Sequence, residues 1–382
     1  MKRIAILGST GSIGVNTLDV LSRMRGDFKV VALSADSNTK LLSAQTRRFR
    51  PKTIAIGNGL LASQIKKIVP AETNILTGTE GLCAIAAAAG VDMIVFAISG
   101  NACLLPLLEA IRSAKGIALA NKEALVSGGP LVMELARRRG VKILPVDSEH
   151  SAIFQCIEGR GAGLSKIYLT GSGGPLLDVS VSKFNKLSPS AVLKHPKWNM
   201  GKKISVDSAT MMNKGLEIIE AQYLFGLDEK RIEVLIHPEA IIHSMAEFSD
   251  GAVLAQMALP DMRLPIQYAL TYPERVKAPV KHIDFAALRQ LTFRSPDTDK
   301  FPCLCLARQA ARQGGTAPAV LCAADEEAVK CYLQNNVKFT GIPKIIEKVL
   351  ARHKNTKGAL SVRDIVDADA WAREEVRSLC YH

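Results

Sequence analysis

Near the start of the chain an apolar run, Arg3-Ile4-Ala5-Ile6-Leu7, breaks into Gly8-Ser9-Thr10-Gly11-Ser12-Ile13-Gly14 and then into a helical pattern. A strand, a glycine turn and a helix in that order open a parallel sheet covered by helices. Glycine lets such a loop turn tightly and brings backbone N–H groups and the positive end of the helix dipole against a pyrophosphate. The spacing here, GxxGxxG, is one residue longer at the front than GxGxxG. A glycine run alone also marks any tight strand-to-helix turn, so its meaning rests on the pattern of the next hundred or so residues.

That pattern is a regular alternation. Strand candidates at Arg3–Leu7, Lys29–Ser34, Thr53–Ile56, Met93–Ile98, Gly116–Ala120 and Lys142–Val146 are separated by amphipathic stretches. These stretches, Ile13–Arg25, Thr39–Phe49, Leu60–Ile68, Thr79–Ala89, Leu104–Ala114 and Leu131–Arg139, read as helices. The alternation predicts an α/β fold, with a Rossmann-type doubly wound parallel sheet over residues 1–147 that binds a dinucleotide. From about Ser151 the pattern changes to longer polar loops, a long helix from Ser208 to Phe225, and a hairpin of Ser244–Phe248 and Ala252–Met257 turning at Asp250-Gly251. That predicts a second, α+β domain over 148–280. Beyond it, Pro318–Gln334, Ile342–Arg352 and Val362–Leu379 predict a helical C-terminal domain over 281–382.

Composition excludes several classes. Across 382 residues, 48% hydrophobic and 22% charged content is that of a globular protein with more than one core. The most apolar stretch, Ala84–Ala97, is broken by Gly90 and Asp92 and falls short of the roughly 20 residues of a membrane span. The N-terminus enters the glycine loop instead of a signal core, which predicts a cytoplasmic protein. Eight scattered cysteines lack metal-binding spacing and read as reduced thiols. The net charge of +13 comes from Lys and Arg spread along the chain, with only short groups such as Arg137-Arg138-Arg139. Solvated helix faces and an anionic substrate account for it, and no nucleic-acid partner is expected.

The ends of two strands are unusually polar: Ala120 leads into Asn121-Lys122-Glu123, and Val146 into Asp147-Ser148-Glu149-His150. Asn, Asp and Ser are natural helix caps, but capping does not call for Lys122 or Glu149. Asp147 and Glu149, two apart, offer hard oxygen ligands for Mg2+ or Mn2+. A third lies in Val206–Glu217, where Asn213 and Glu217 share a helix face, Lys214 adjoins it and Ser208 stands near a helix start. A hydroxyl, an amide and an ammonium beside a carboxylate suit a phosphate next to a metal. Met211, Met212, Leu216 and Ile219 read as core. Leu169-Thr170-Gly171-Ser172-Gly173-Gly174-Pro175 is a second glycine-rich turn after a strand, which alone would be only a turn. The basic loop from Lys194 to Lys203, with His195, Trp198, Met200 and Gly201, suggests a lid, although a tryptophan anchoring a loop to the core is commoner. After the second strand, Asp36 would favour NAD, whereas Ser37, Asn38, Lys40, Arg47 and Arg48 could take the extra phosphate of NADP; local chemistry leaves this open.

The stretches GSTGSIG (8–14), ANKEALV (120–126), VDSEHSAIFQ (146–155), LTGSGGP (169–175), HPKWNMGKKISVDSATMMNKGLE (195–217), IHPEAIIHSM (236–245) and LPDMR (259–263) together resemble the 1-deoxy-D-xylulose 5-phosphate reductoisomerases. The resemblance implies a metal- and NADPH-dependent reaction of the non-mevalonate isoprenoid route. The phosphorylated sugar is rearranged to a branched aldehyde, which is reduced to 2-C-methyl-D-erythritol 4-phosphate. It implies that Asp147, Glu149 and Glu217 hold Mg2+ or Mn2+, with Co2+ a further candidate. Ser172, Ser208, Asn213 and Lys214 would bind the substrate and its phosphate, and Ser148 and Lys122 its backbone. Lys122, Glu149, Glu217 and His195 would form the catalytic set, with Lys122 steering a proton. Gly8, Thr10, Gly11, Ser12, Ile13, Gly14, Asn121, Glu123 and Gly201 would contact cofactor, and His195, Trp198 and Met200 would belong to a closing lid. A homodimer through the central domain's sheet is implied as well. Members commonly carry Gly-Lys-Asn where this chain has Asp36-Ser37-Asn38, so a lysine partner for the 2'-phosphate is missing. Rival readings are a semialdehyde or homoserine dehydrogenase-like oxidoreductase, which needs no carboxylate triad, and a catalytically silent, cofactor-sensing regulator.

Overall fold

The structure, a computed structural model, describes residues 1–24, 26–159, 162–194, 197–198 and 200–380. In chain order the first half holds β1 (Lys2–Leu7), α1 (Ser12–Arg23), β2 (Phe28–Ala35), α2 (Thr39–Phe49), β3 (Thr53–Ile56), α3 (Ala62–Lys66), β4 (Asn74–Thr77) and α4 (Gly78–Ala87). These are followed by β5 (Met93–Phe96), α5 (Leu104–Arg112), β6 (Gly116–Leu119), α6 (Glu123–Arg139), β7 (Ile143–Pro145) and α7 (Ser148–Ile157). The second half adds β8 (Leu164–Gly171), α8 (Pro189–Val192), α9 (Lys202–Thr210), α10 (Met212–Phe225), β9 (Ile232–Ile236), β10 (Ile242–Phe248) and β11 (Val253–Met257). Helices α11 (Arg263–Thr271), α12 (Phe285–Leu288), α13 (Pro302–Gln313), α14 (Ala317–Leu333), α15 (Gly341–Arg352) and α16 (Val362–Cys380) complete it.

By its contacts the chain forms two compact units. The first comprises 1–124, 132–151 and 261–280, and the second 125–131, 152–260 and 281–382. Their bounds differ from the sequence segments 1–147, 148–280 and 281–382, because the chain returns to each unit more than once and the C-terminal helices pack on α10 and α9.

The first unit is built on a seven-stranded sheet in the order β4-β3-β2-β1-β5-β6-β7. Every pairing in it is parallel. Ile4–Leu7 and Met93–Phe96 are fully buried, as strands covered by helices on both faces must be. The strand order reverses between β1 and β5, which in such sheets is where ligands collect. The sequence reading missed β4: it is a short edge strand, Asn-Ile-Leu-Thr, that lacks the apolar run of the central strands. Helix α6 starts at Glu123 rather than Leu131. Gly128, Gly129 and Pro130 interrupt the helical pattern, and Gly128 leaves helical geometry (φ −121°, ψ 17°), but the chain resumes the helix beyond it.

The second unit carries a four-stranded sheet, β11-β10-β8-β9. Strand β10 runs antiparallel to both β8 and β11, so the expected hairpin forms, while β9 lies parallel to β8. The expected long helix 208–225 is two helices. Met211, with φ 61° and ψ 10°, ends α9 in the left-handed region, and α10 begins at the next residue. The core gathers Ile167, Leu169, Val206, Leu216 and Ile219 with Leu304, Leu321, Ile346 and Val376 of the C-terminal helices. Among the described residues, no helix is long and apolar enough to cross a membrane.

Candidate active site

In the first unit the glycine loop lies at the strand-order reversal. A Cβ on Gly8, which has φ +92°, would fall 2.4 Å from the Ala97 carbonyl oxygen beyond β5, so only glycine lets the loop pass there. A Cβ on Gly14 would stand 2.3 Å from the Gly8 oxygen, so α1 sits directly on the loop. Gly11 is different: its nearest such neighbour is 3.5 Å away, and it caps α1 with no side-chain bond to the first-turn amides. Those amides and the helix dipole face an open, exposed position beside Gly11 and Ser12. The loop is held from below by residues the sequence reading overlooked. Ser34 Oγ accepts from the Gly8 N–H at 2.9 Å, and Gln45 exchanges bonds of 2.7 and 2.8 Å with Ser9. Neither carries a motif; only the fold brings β2 and α2 under the loop.

Asp36, Ser37 and Asn38 follow β2 and are exposed, and Asn38 caps α2 by accepting from the Leu41 N–H at 3.1 Å. At the end of β6, the Asn121 amide donates at 3.0 Å to the Ile98 and Gly100 carbonyls and at 2.9 Å to Glu123, while its oxygen accepts from the Ala124 N–H. Its side chain therefore ties the ends of β5 and β6 together. Asp147, just beyond β7, does cap α7 through the Glu149 N–H at 3.2 Å, as aspartate at a helix start commonly does. It also pairs with the buried Lys122 ammonium at 3.1 Å and stands 3.2 Å from Nδ1 of the fully buried His150. Ser148 bonds to the Glu149 carboxylate. This edge thus gathers Lys122, Asp147, Ser148 and Glu149 with fixed orientations.

In the second unit Glu217 is 1% exposed, a carboxylate that needs partners to remain charged. It has them: Asn213 Nδ2 donates to Oε1 at 2.6 Å, and Lys214 Nζ to Oε2 at 2.5 Å. Lys214 donates also to the Thr170 carbonyl at 2.8 Å, and a Cβ on Gly171 would come within 3.0 Å of its Cε, so the glycine turn after β8 makes room for the lysine stem. On the same turn Gly174, φ +72°, lies so close to α9 that a Cβ would meet the Ser208 oxygen at 2.5 Å and its Oγ at 3.1 Å. The turn carries Ser172, whose Oγ accepts from the Gly174 N–H at 3.4 Å. Ser172, Ser208 of α9 and Lys214 of α10 therefore meet at one glycine turn, and Lys214 shares the Glu217 carboxylate with Asn213. A cation, hydroxyls and amides beside a carboxylate form a cradle for an anion bearing hydroxyl groups.

Trp198, Met200 and Gly201 precede α9. The Trp198 ring lies 6.3 Å from that of His243, and Gly201 is exposed as the N-cap of α9, with open space where a Cβ would stand. His195 lies outside the described residues.

Known proteins are similar to this chain along nearly all of its length. Family models described as 1-deoxy-D-xylulose 5-phosphate reductoisomerase and its C-terminal domain match residues 4–129 and 143–225, and a DXP reductoisomerase C-terminal domain matches 257–375. The 1-deoxy-D-xylulose 5-phosphate reductoisomerase of Synechococcus sp. (strain JA-2-3B'a(2-13)) is 50% identical, covering 99% of this chain and 97% of its own. That of Desulfosudis oleivorans is 50% identical over 99% of this chain and 100% of its own. A DOX-P reductoisomerase crystallised with NADPH, fosmidomycin and magnesium superposes with a TM-score of 0.94 at 40% identity, covering 99% of both chains. The Zymomonas mobilis enzyme in complex with NADPH does so at 0.92 and 40%, also covering 99% of both. Neither a semialdehyde or homoserine dehydrogenase nor a silent regulator fits such agreement from end to end, and the chain belongs to the 1-deoxy-D-xylulose 5-phosphate reductoisomerase family.

Proposed function

We propose that the chain rearranges 1-deoxy-D-xylulose 5-phosphate and reduces the resulting aldehyde with NADPH to 2-C-methyl-D-erythritol 4-phosphate, aided by a divalent metal. The observation that carries the reading at the level of residues is the Asn213–Lys214–Glu217 cluster at the second glycine turn: a buried carboxylate held on both oxygens beside an ammonium. The relatives solved with NADPH, fosmidomycin and magnesium support the same ligand set.

On this reading the pyrophosphate of NADPH lies on Gly8, Thr10, Gly11, Ser12, Ile13 and Gly14, where the α1 amides are open beside Gly11. Asp36, Ser37 and Asn38 face the adenosine end, Asn121 and Glu123 hold the strand ends toward the nicotinamide, and Gly201 contributes backbone. Asp147, Glu149 and Glu217 would hold Mg2+, Mn2+ or Co2+. Their all-oxygen donor set fits such an ion, and each carboxylate is already oriented by a neighbour, as metal ligands generally are. When bound, the metal supplies Lewis-acid polarisation of adjacent substrate oxygens. Ser172, Ser208, Asn213 and Lys214 bind the substrate and its phosphate, and Ser148 and Lys122 its carbon backbone. The Lys122 ammonium, poised beside Asp147, donates a hydrogen bond to a substrate hydroxyl and steadies its proton during rearrangement. His195, Trp198 and Met200 close over the substrate and exclude water. We place the enzyme in the cytoplasm as a homodimer paired through the second unit's sheet. The exposed apolar side chains of Val253 and Leu254 on its edge strand β11 support that pairing.

The test is NADPH oxidation with 1-deoxy-D-xylulose 5-phosphate, with and without Mg2+ or Mn2+. Metal-stimulated turnover is expected, and its absence sinks the proposal. Glu217→Gln should cut turnover by at least ~100-fold while NADPH still binds. Loss of both together would point instead to misfolding or to a misassigned ligand.

A further inference from the structure

Helix α9 joins the Trp198–Gly201 segment to the glycine turn that Ser208 touches, and one buried charge cluster fixes it. Lys203, in its first turn, places Nζ 2.6 Å from Asp207 Oδ2 and 2.9 Å from Asp325 Oδ2. Asp207 and Asp325 are 2% and 0% exposed. Asp207 is one helical turn on from Lys203 and adjoins Ser208, whereas Asp325 comes from the middle of α14, among the C-terminal helices. Among the described residues the cluster sets the Lys203 ammonium between the two carboxyl groups, and its influence reaches further. Burial first, then Asp325 and Asp207, push the thiol of Cys303 on α13 well above its usual range.

Two buried carboxylates around one ammonium are a costly arrangement for mere cohesion, since well-packed apolar residues in their place commonly hold a fold as well or better. What the charges add is direction. Lys203 and Asp207 lie on one face of α9, so the pair to Asp325 sets the rotation of the helix about its axis. A slip of one residue would turn Ser208 by about 100° away from Gly174.

We infer that Asp325, Lys203 and Asp207 form a clamp through which the C-terminal helices position Ser208 for the substrate phosphate, with Lys203 and Asp325 as positioning residues. This rests on the assignment of Ser208 to phosphate binding. It gives α14 a part in substrate affinity although none of its residues is placed in the substrate pocket.

The experiment compares Asp325→Asn, Lys203→Met and Lys203→Arg with the wild-type enzyme by steady-state kinetics, and follows amide hydrogen exchange over residues 202–211. Asp325→Asn keeps the shape and removes one charge. It should raise KM for 1-deoxy-D-xylulose 5-phosphate ~10-fold with KM for NADPH unchanged, and speed exchange in α9. Lys203→Met should do so more strongly, and Lys203→Arg should recover KM to within about threefold of wild type. An unchanged substrate KM in Asp325→Asn, or an equal rise in both KM values as general loosening would give, overturns the inference. So does unchanged α9 protection, whatever the kinetics. A wild-type enzyme without turnover would instead refute the functional reading, and the exchange measurement would still decide the clamp.

Discussion

Gly174→Ala separates the two reasons a glycine stands in the second turn. Its φ of +72° costs any L side chain roughly 1–2 kcal/mol. Its Cβ would also lie 2.5 Å from the Ser208 carbonyl oxygen and 2.9 Å from the carbon, both within the 3.0 Å that real Cβ atoms essentially never breach. The obstacle is backbone at the end of α9, so relief requires the turn or the helix to move. Such overpacking costs a further ~1–3 kcal/mol, giving about 2–5 kcal/mol in all. Gly226→Ala is the matched control. Gly226 has φ +64° with nothing within 4 Å of the built Cβ, so only the backbone term, about 1–2 kcal/mol, applies. Denaturant midpoints should therefore fall for both variants and further for Gly174→Ala. The kinetic contrast should be larger. A displacement of the turn from Ser208 by even ~1 Å is expected to lower kcat/KM for the sugar phosphate up to ~100-fold, while Gly226→Ala stays near wild type. Equal stability losses with an intact substrate KM in Gly174→Ala would refute the claim that this contact positions the phosphate pocket.

A parallel pair probes the first glycine loop: Gly11→Ala meets no close atom and should fold normally but raise KM for NADPH ~10-fold, whereas Gly14→Ala, 2.3 Å from the Gly8 oxygen, should lose soluble folded protein. Normal NADPH affinity in Gly11→Ala would remove the pyrophosphate from that position. Asp36→Asn should raise kcat/KM for NADPH several-fold relative to NADH, because it deletes a negative charge near the expected 2'-phosphate; no change in the ratio would show that Asp36 lies away from it. Asp92 gives a pH prediction: its hydrogen bonds from Arg3 hold its carboxyl well below the ordinary range, so the stabilisation is present above about pH 4 and is lost as pH falls through the depressed folded value. Because the pair is half exposed, Asp92→Asn should cost only about 1 kcal/mol near neutrality, a difference that narrows in acid; a gap in urea midpoints that widens below pH 4 would contradict the sign.

Much of the first unit was legible because its signals are local. A glycine loop after an apolar strand, and apolar runs at regular intervals, report a parallel sheet without knowledge of distant contacts. The edge strand β4 was not, since Asn74–Thr77 has neither an apolar run nor alternation and owes its conformation to pairing with β3. Nor was the break at Met211, because methionine carries no preference for a left-handed backbone; the approach of the glycine turn to Ser208 and the burial of Met211 and Met212 accompany it. At the site, residue type and spacing singled out Glu217, Asn213 and Lys214, whose i, i+3 and i, i+4 relations are intrinsic to a helix. Ser34, Gln45 and Asp325 escaped because their roles exist only across long sequence separations. Lys203 and Asp207 were half visible as an i, i+4 pair, but such pairs are commonplace on solvated helices, and only Asp325 reveals that this one is buried.

The division of the chain into two units, each assembled from three separate stretches, limits what can be done to the gene. No single stop codon or new start site yields either unit whole: ending after residue 151 omits 261–280 from the first, and starting at 152 omits 125–131 from the second. A fragment holding the first unit whole therefore needs 261–280, with α11, grafted back through a designed linker, not a truncation. Arg263 of that helix, paired with Asp19 of α1 at 3.3 Å, offers a check on whether the graft has docked.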